Sequence, residues 1–144
     1  MLLVETRLAP SSIHGIGIFA DRFIPEGTTV WAFVSGFDLV VDPDELSRLS
    51  EPARRQFRKY SYLDPHLRKY VLCFDDARFM NHADEPNLLD TPTSAEGMGV
   101  TVAARDIEAG EELTCDYSTF DAEWGSYSLG EGNGDEDRES AVRG

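Results

Sequence analysis

Arg78-Phe79-Met80-Asn81-His82-Ala83-Asp84-Glu85-Pro86-Asn87 and, further on, Ala104-Arg105-Asp106-Ile107-Glu108-Ala109-Gly110-Glu111-Glu112-Leu113-Thr114-Cys115-Asp116-Tyr117 are the two stretches on which the reading of this chain turns. In the first, Asn81 and His82 set a carboxamide beside an imidazole, and Pro86-Asn87 starts a turn. Alone, His82 reads as a hydrogen-bonded loop histidine. A metal site would need a second histidine close by, and His14 and His66 are distant in sequence. In the second stretch, Ala109-Gly110 is a turn ahead of an extended segment. Glu111, Glu112 and Asp116 read as a carboxylate site or, better, as a solvated turn with one or two hydrogen bonds. Tyr117 reads as a core residue with a satisfied hydroxyl or as a catalytic phenol.

Outward from these, a third stretch is Ile13-His14-Gly15-Ile16-Gly17-Ile18-Phe19-Ala20. Two glycines one residue apart allow positive φ or close approach of backbone to a ligand. No helix follows and a third glycine is missing, so this is not a dinucleotide fingerprint. Leu2-Leu3-Val4, Gly17–Ala20, Thr28–Val34, Tyr70–Phe74, Met98–Ala104 and Glu112–Tyr117 read as short strands or extended segments. Asp42-Pro43-Asp44-Glu45 carries an N-cap candidate and a proline at the first helical position, so a short helix is expected through Leu46 and Leu49. A second helical piece is expected from near Pro52. Phe120, Trp124 and Tyr127 recur at helical spacing, as a packing face or a ligand-facing one. From Ser128 to Gly144 the chain is Gly, Glu, Asp, Asn and Ser with almost nothing to bury, and is expected to be disordered. The expected organisation is one domain over 1–127, a helical insertion over about 38–70, and an acidic tail over 128–144.

The chain has 144 residues, enough for one self-supporting core. It has no apolar run of membrane-spanning length, and its N-terminus is charged too early for a signal peptide. Thirteen Lys and Arg against twenty-seven Asp and Glu give a net charge of −14. That excess disfavours the phosphate backbone of nucleic acid; by itself it reads as plain solubility or, less directly, as suited to a basic protein or peptide partner. Cys73 and Cys115 lie in apolar, strand-like runs without metal-ligand spacing, and read as buried free thiols in a reducing cytoplasm.

Taken in order, the three stretches resemble the SET domain, the family of S-adenosylmethionine-dependent protein lysine methyltransferases. The matching residues run from about Thr6 to Tyr117, and the strongest parts are Asn81–Asn87 and Gly110–Tyr117. The small size resembles bacterial or viral single-domain members. The resemblance implies a mainly β fold of several short sheets, a small helical insertion and a knot-like C-terminal threading. It implies a methyl-donor site at His14, Gly15, Ile16 and Gly17 with Asn81 and His82, and Tyr117 as the catalytic residue. Phe79, Phe120, Trp124 and Tyr127 become candidate walls of the donor site or lysine channel. The implied cofactor is S-adenosyl-L-methionine, with no metal. The implied partner is a basic protein or peptide, histone-like or ribosomal, with no nucleic acid and no membrane.

The chemistry suits those residues. A lysine must be neutral to attack a sulfonium methyl, which at pH 7 costs about 4.6 kcal/mol from a pKa near 10.4. A narrow apolar channel and a nearby positive charge both favour the neutral amine. A tyrosine oxygen can accept weak C–H···O contacts from the polarised methyl and align the amine. The chain departs from the family in two places. Ala83 stands where many members have serine. No cysteine follows Cys115, so the zinc-binding segment that closes the channel in many members cannot form. Phe120–Tyr127, or a second subunit, is therefore expected to cover the site. The competing reading is a catalytically silent SET-like module that binds the donor or a basic peptide.

Overall fold

Short β-branched and aromatic runs, punctuated by glycine and proline, give short strands that pair in four small sheets. The computed structural model describes residues 1–124; Tyr127 and the tail read over 128–144 lie outside the described residues. β1 (Thr6–Pro10) pairs antiparallel with β2 (Ile16–Ala20), Thr6 opposite Ala20 and Pro10 opposite Ile16. The loop between them closes on Gly15 at φ 49°, with Ser11 N–H donating to the Gly15 carbonyl at 2.8 Å. β3 (Thr29–Ala32) follows. β4 (Leu39–Val41), α1 (Glu51–Tyr60), β5 (Ser61–Leu63) and β6 (Tyr70–Leu72) make up the insertion, its sheet in the order β4-β6-β5. β7 (Asn81–His82), β8 (Leu88–Asp90), β9 (Val100–Ala103) and β10 (Thr114–Cys115) complete the described chain. β3, β9 and β8 form one antiparallel sheet in that order, and β7 pairs with β10 in parallel.

The alternation in β2 buries Ile18 and Ala20, which join Ile24, Val30, Met80, Leu88, Ala103, Ile107, Leu113, Cys115 and Tyr117 in the main core. Both motif stretches therefore contribute directly to that core. A smaller cluster of Leu46, Leu63 and Tyr70, with Leu49 and Phe57 against it, holds the insertion together. Ser50 caps α1 by accepting from Ala53 N–H at 3.4 Å.

Some elements differ from their sequence expectations. Leu2-Leu3-Val4 forms no strand; Leu2 makes one isolated bridge to Trp31, while the first strand forms at Thr6–Pro10, where the hairpin supplies a continuous partner. The helix expected after Asp42 is a six-residue 3-10 turn, Pro43–Arg48, whose Asp42 makes no side-chain cap bond. Of the Glu112–Tyr117 extension, only Thr114–Cys115 is strand; a 3-10 turn, Tyr117–Thr119, follows at once because the Asp116 carboxylate accepts from Ser118 N–H at 3.0 Å. Both cysteines are buried and unbridged, as read from sequence. Among the described residues no helix is long and apolar enough to cross a membrane. The result is a mainly β domain of short sheets with a small helical insertion.

Candidate functional site

The two strongest sequence stretches meet as neighbouring strands. Thr114 lies opposite Asn81 and Cys115 opposite His82 in the β7–β10 pair. Two asparagine side chains fasten them. The Asn87 amide donates to the Glu112 carbonyl at 2.8 Å, and its oxygen accepts from Thr114 N–H at 2.9 Å, so one side chain serves as a strand partner where no strand is available. The Pro86-Asn87 turn read from sequence is thus also a clamp on the second stretch.

Asn81 is fully buried. Its Nδ2 faces Glu112 Oε2 at 3.0 Å, Ser11 Oγ and the His14 carbonyl at 3.2 Å each, and the Ile16 carbonyl at 3.5 Å. The carbonyls and the carboxylate accept only, which fixes the amide orientation and turns Oδ1 the other way. One carboxamide thus gathers the His14–Gly17 loop and the Gly110–Tyr117 segment. Glu112 also accepts from Ser11 Oγ at 2.6 Å. A Cβ on Gly17 would lie 2.8 Å from the Glu112 carboxylate, so this glycine is required by close approach and not by its φ.

Three expectations about the carboxylates are thereby resolved. Glu111 sits in a solvated turn, paired with Arg105 at 2.9 Å, which holds its carboxyl below the usual range. Asp116 caps the 3-10 turn. Glu112, whose better reading from sequence is a solvated turn residue, points inward to Asn81 and Ser11, and Ser11 has no site reading from sequence. The available signal was Gly17 itself, a glycine in a strand, which marks a close neighbour.

His82 and Tyr117 stand together. Tyr117 N–H donates to His82 Nδ1 at 3.1 Å, so Nε2 carries the proton and donates to Asp84 Oδ1 at 3.1 Å. The rings stack with centroids 5.8 Å apart and 19° between planes. The Tyr117 hydroxyl donates to the Met80 carbonyl. Burial, followed by the nearby Cys115, drives the phenol well above its ordinary range, which keeps it protonated. Trp124 packs on His82 at 4.7 Å and on Tyr117 at 5.2 Å, and Phe120 meets Tyr117 edge-on at 5.1 Å. This segment is tied to the insertion: Ala122 N–H donates to the Leu63 carbonyl at 2.8 Å, and Leu63 N–H to Asp121 Oδ1 at 3.2 Å. Phe79 goes elsewhere, its ring edge-on to Tyr60 at 5.8 Å.

Tyr117 also lines an open cleft between the insertion and the β3-β9-β8 sheet. Phe120, Tyr60, Tyr62, Trp31 and Met80 supply its apolar wall, and Asp64, Asp90 and Asp121 give it a small acidic excess over Lys59 and Arg78. Neither Phe79 nor the His14–Gly17 loop lines it. Tyr117 therefore joins two neighbourhoods, the polar loop gathered by Asn81 and the acidic cleft. In the first, Asn81 Oδ1 and His14 Nδ1 are buried without partners among the described residues. Such unmet atoms fit a polar ligand, such as the amino-acid end of S-adenosylmethionine. Among the described residues no group of three His, Cys, Asp or Glu is placed to hold a metal ion.

The family model for the SET domain matches residues 15–118, and the chain belongs to that family. It is 27% identical over 118 residues to human histone-lysine N-methyltransferase 2D, covering 81% of this chain and 2% of that one. It is 30% identical over 138 residues to the H3 lysine-4 specific histone-lysine N-methyltransferase of Aspergillus oryzae, covering 83% of this chain and 10% of that one. This chain thus spans a small part of the length of these curated relatives. In fold it is similar to a putative histone methyltransferase of Plasmodium falciparum, with a TM-score of 0.57 and 17% identity over 81% of this chain and 95% of that one.

Asp90 gives the site a measurable cost. Burial raises its carboxyl from 3.8 to about 6, against the opposing bond from Thr101. A folded pKa above the unfolded one means that the folded state binds the proton more readily between those values. Stability therefore falls as pH rises from about 4 to 6, by about 3 kcal/mol in total. Asp90→Asn is expected to be more stable than the natural chain at pH 7 by about 1–3 kcal/mol in urea unfolding, with the gap closing below pH 4. Equal stability at pH 7 would show that the carboxylate is not strained by burial.

Proposed function

We propose that this chain transfers a methyl group from S-adenosyl-L-methionine to the side-chain amine of a lysine in a basic protein or peptide. The observation that carries this reading is the convergence at Tyr117, which touches His82 on the side of the Asn81-gathered loop and also lines an acidic, aromatic cleft. Family membership points the same way, as do relatives named for histone-lysine methylation. Bound S-adenosylmethionine supplies the reactive methyl on a sulfonium. The His14–Gly17 backbone, Asn81 Oδ1 and His82 would hold the donor, and Trp124, packed on His82, would wall it.

On the other side the cleft takes the lysine. Its apolar wall strips water from the aliphatic stem, and its carboxylates draw in the charged end. The net charge of −14 favours a basic peptide, histone-like or ribosomal, at the mouth. The Tyr117 hydroxyl points its proton at the Met80 carbonyl, so its oxygen keeps lone pairs that would accept C–H···O contacts from the donor methyl and align the amine. The knot-like threading read from sequence is supported by the Gly110–Tyr117 segment bonding to β2 on one flank, through Ala20 N–H to Glu111 O at 2.9 Å and Leu113 N–H to Ile18 O at 2.8 Å, and to β7 on the other.

Tyr117→Phe keeps the ring and loses the oxygen. Transfer to histone-tail peptides is expected to fall at least about a hundredfold, with donor affinity by calorimetry within about twofold of the natural chain. Unchanged transfer would remove Tyr117 from the chemistry. Donor binding without transfer by the natural chain would instead identify a silent binding module. Trp124→Ala strips the ring from His82. It is expected to weaken donor binding about tenfold, or about 1.4 kcal/mol. An unchanged Kd and rate would show that the Phe120–Trp124 segment does not close the site.

A further inference from the structure

The floor of the cleft carries a row of three side chains. Trp31 on β3 lies opposite Thr101 on β9, and Thr101 lies opposite Asp90 on β8, so all three share one face of the sheet. All three line the cleft. Thr101 Oγ1 donates to Asp90 Oδ1 at 2.7 Å. Asp90 Oδ2 is buried and has no partner among the described residues. At the other end of the row Trp31, only 6% exposed, has a buried Nε1–H that also lacks a partner among them. A buried acceptor left unmet is costly, most of all on a carboxylate. Asp90 lines the cleft, so the fold keeps an unmet carboxylate oxygen in the wall of a space that a ligand can enter.

The cleft's other charges are committed. Asp64 accepts from Thr93 Oγ1 at 2.7 Å and from the His66 and Leu67 N–H groups. Asp121 accepts from the Leu63 and Glu123 N–H groups. Lys59 and Arg78 lie over the Tyr60 ring at 5.8 and 5.6 Å. The titratable groups that face Asp90 are Tyr62 on β5, Cys115 and Asp116 at β10, and Tyr117; burial raises both phenols and the Cys115 thiol, which leaves them uncharged. No cation among the described residues reaches Asp90.

We propose that Asp90 is the carboxylate that receives the substrate lysine's ammonium in the cleft and takes its proton before transfer. This rests on the methyltransferase reading above and adds to it the group that makes the amine nucleophilic. The step moves one proton along one hydrogen bond. The ammonium N–H bond breaks, an O–H bond forms on Asp90 Oδ2, and the nitrogen keeps the electron pair as a neutral amine. No oxidant or reductant takes part. Burial favours the neutral acid and amine over the ion pair. The Asp90 carboxyl, pushed up to about 6, is ionised at pH 7 when the lysine arrives, yet close enough to neutrality to hold the proton.

Asp90→Asn retains the shape and an acceptor for Thr101. The experiment uses the full chain and histone-tail peptides, each paired with a version carrying norleucine in place of lysine. The natural chain at pH 7 is expected to bind the lysine peptides at least tenfold tighter than their norleucine partners, with the preference lost below pH 6 and absent in Asp90→Asn. Donor affinity is expected to match in the two proteins. In turnover, kcat of Asp90→Asn is expected to be at least tenfold lower at pH 7 and to approach the natural value near pH 10, where free lysine sheds its own proton. A lysine preference and pH–rate profile unchanged in Asp90→Asn would overturn the proposal while leaving methyl transfer standing. No transfer by the natural chain, with the Asp90-dependent lysine preference intact, would overturn the proton-accepting step and the methyltransferase reading, and leave Asp90 as an ammonium receptor.

Discussion

One buried carboxamide organises this molecule. Asn81 Nδ2 has two hydrogens and four oxygens around it, drawn from Ser11, His14, Ile16 and Glu112. Those oxygens belong to segments far apart in the chain; the β7–β10 pairing sets Glu112 beside Asn81, and the Phe19–Glu112 bridge brings the β1–β2 loop against both. Removing the amide would leave the half-buried Glu112 carboxylate and two loop carbonyls with fewer donors, a penalty of about 1–3 kcal/mol by ordinary hydrogen-bond energetics. The loop, the strand pair and the Tyr117 turn therefore stand or fall together. A ligand site built on them inherits their rigidity, which is what alignment of two reactants requires.

The rest of the core is arranged to carry that constraint. Ile18, Leu88, Ile107 and Leu113, all essentially inaccessible to water, flank the polar network with ordinary apolar packing. Against that gain the site keeps unmet atoms: Asn81 Oδ1 and His14 Nδ1 beside the loop, Asp90 Oδ2 and Trp31 Nε1 in the cleft. They lie at the two places where a ligand is expected, on either side of Tyr117's contacts. A structure selected for stability alone would satisfy or remove them.

Much of this was legible in the sequence, because the informative residues are local in pattern. The Asn81–Asn87 and Gly110–Tyr117 stretches announce the family, and the β-branched runs announce short strands. The partners of Asn81 were not legible, since nothing local says that Ser11 will meet Glu112 across some hundred residues. Glu112 reads as a solvated turn residue because it follows Gly110 and Glu111; only the bridge to Phe19 turns it inward. Asp90 ends an apolar pair, Leu88-Leu89, and looks like a solvated strand end until the β9 register sets Thr101 beside it. Phe79 adjoins the Asn-His pair in sequence, yet the 3-10 turn Asp76–Phe79 swings its ring to Tyr60. The placement of Phe120 and Trp124 over His82 and Tyr117 agrees with their spacing, but the tie to Leu63 that fixes them is a long-range contact.

The central claim is that the loop gathered by Asn81 is a methyl-donor pocket. Calorimetric titration of the full chain with S-adenosylmethionine, in parallel with Asn81→Ala checked for retained fold by circular dichroism, tests it most directly. The account predicts one saturable site in the natural chain and loss of that binding in the variant. Absence of donor binding by the natural chain, both alone and with histone-tail peptides present, would contradict it.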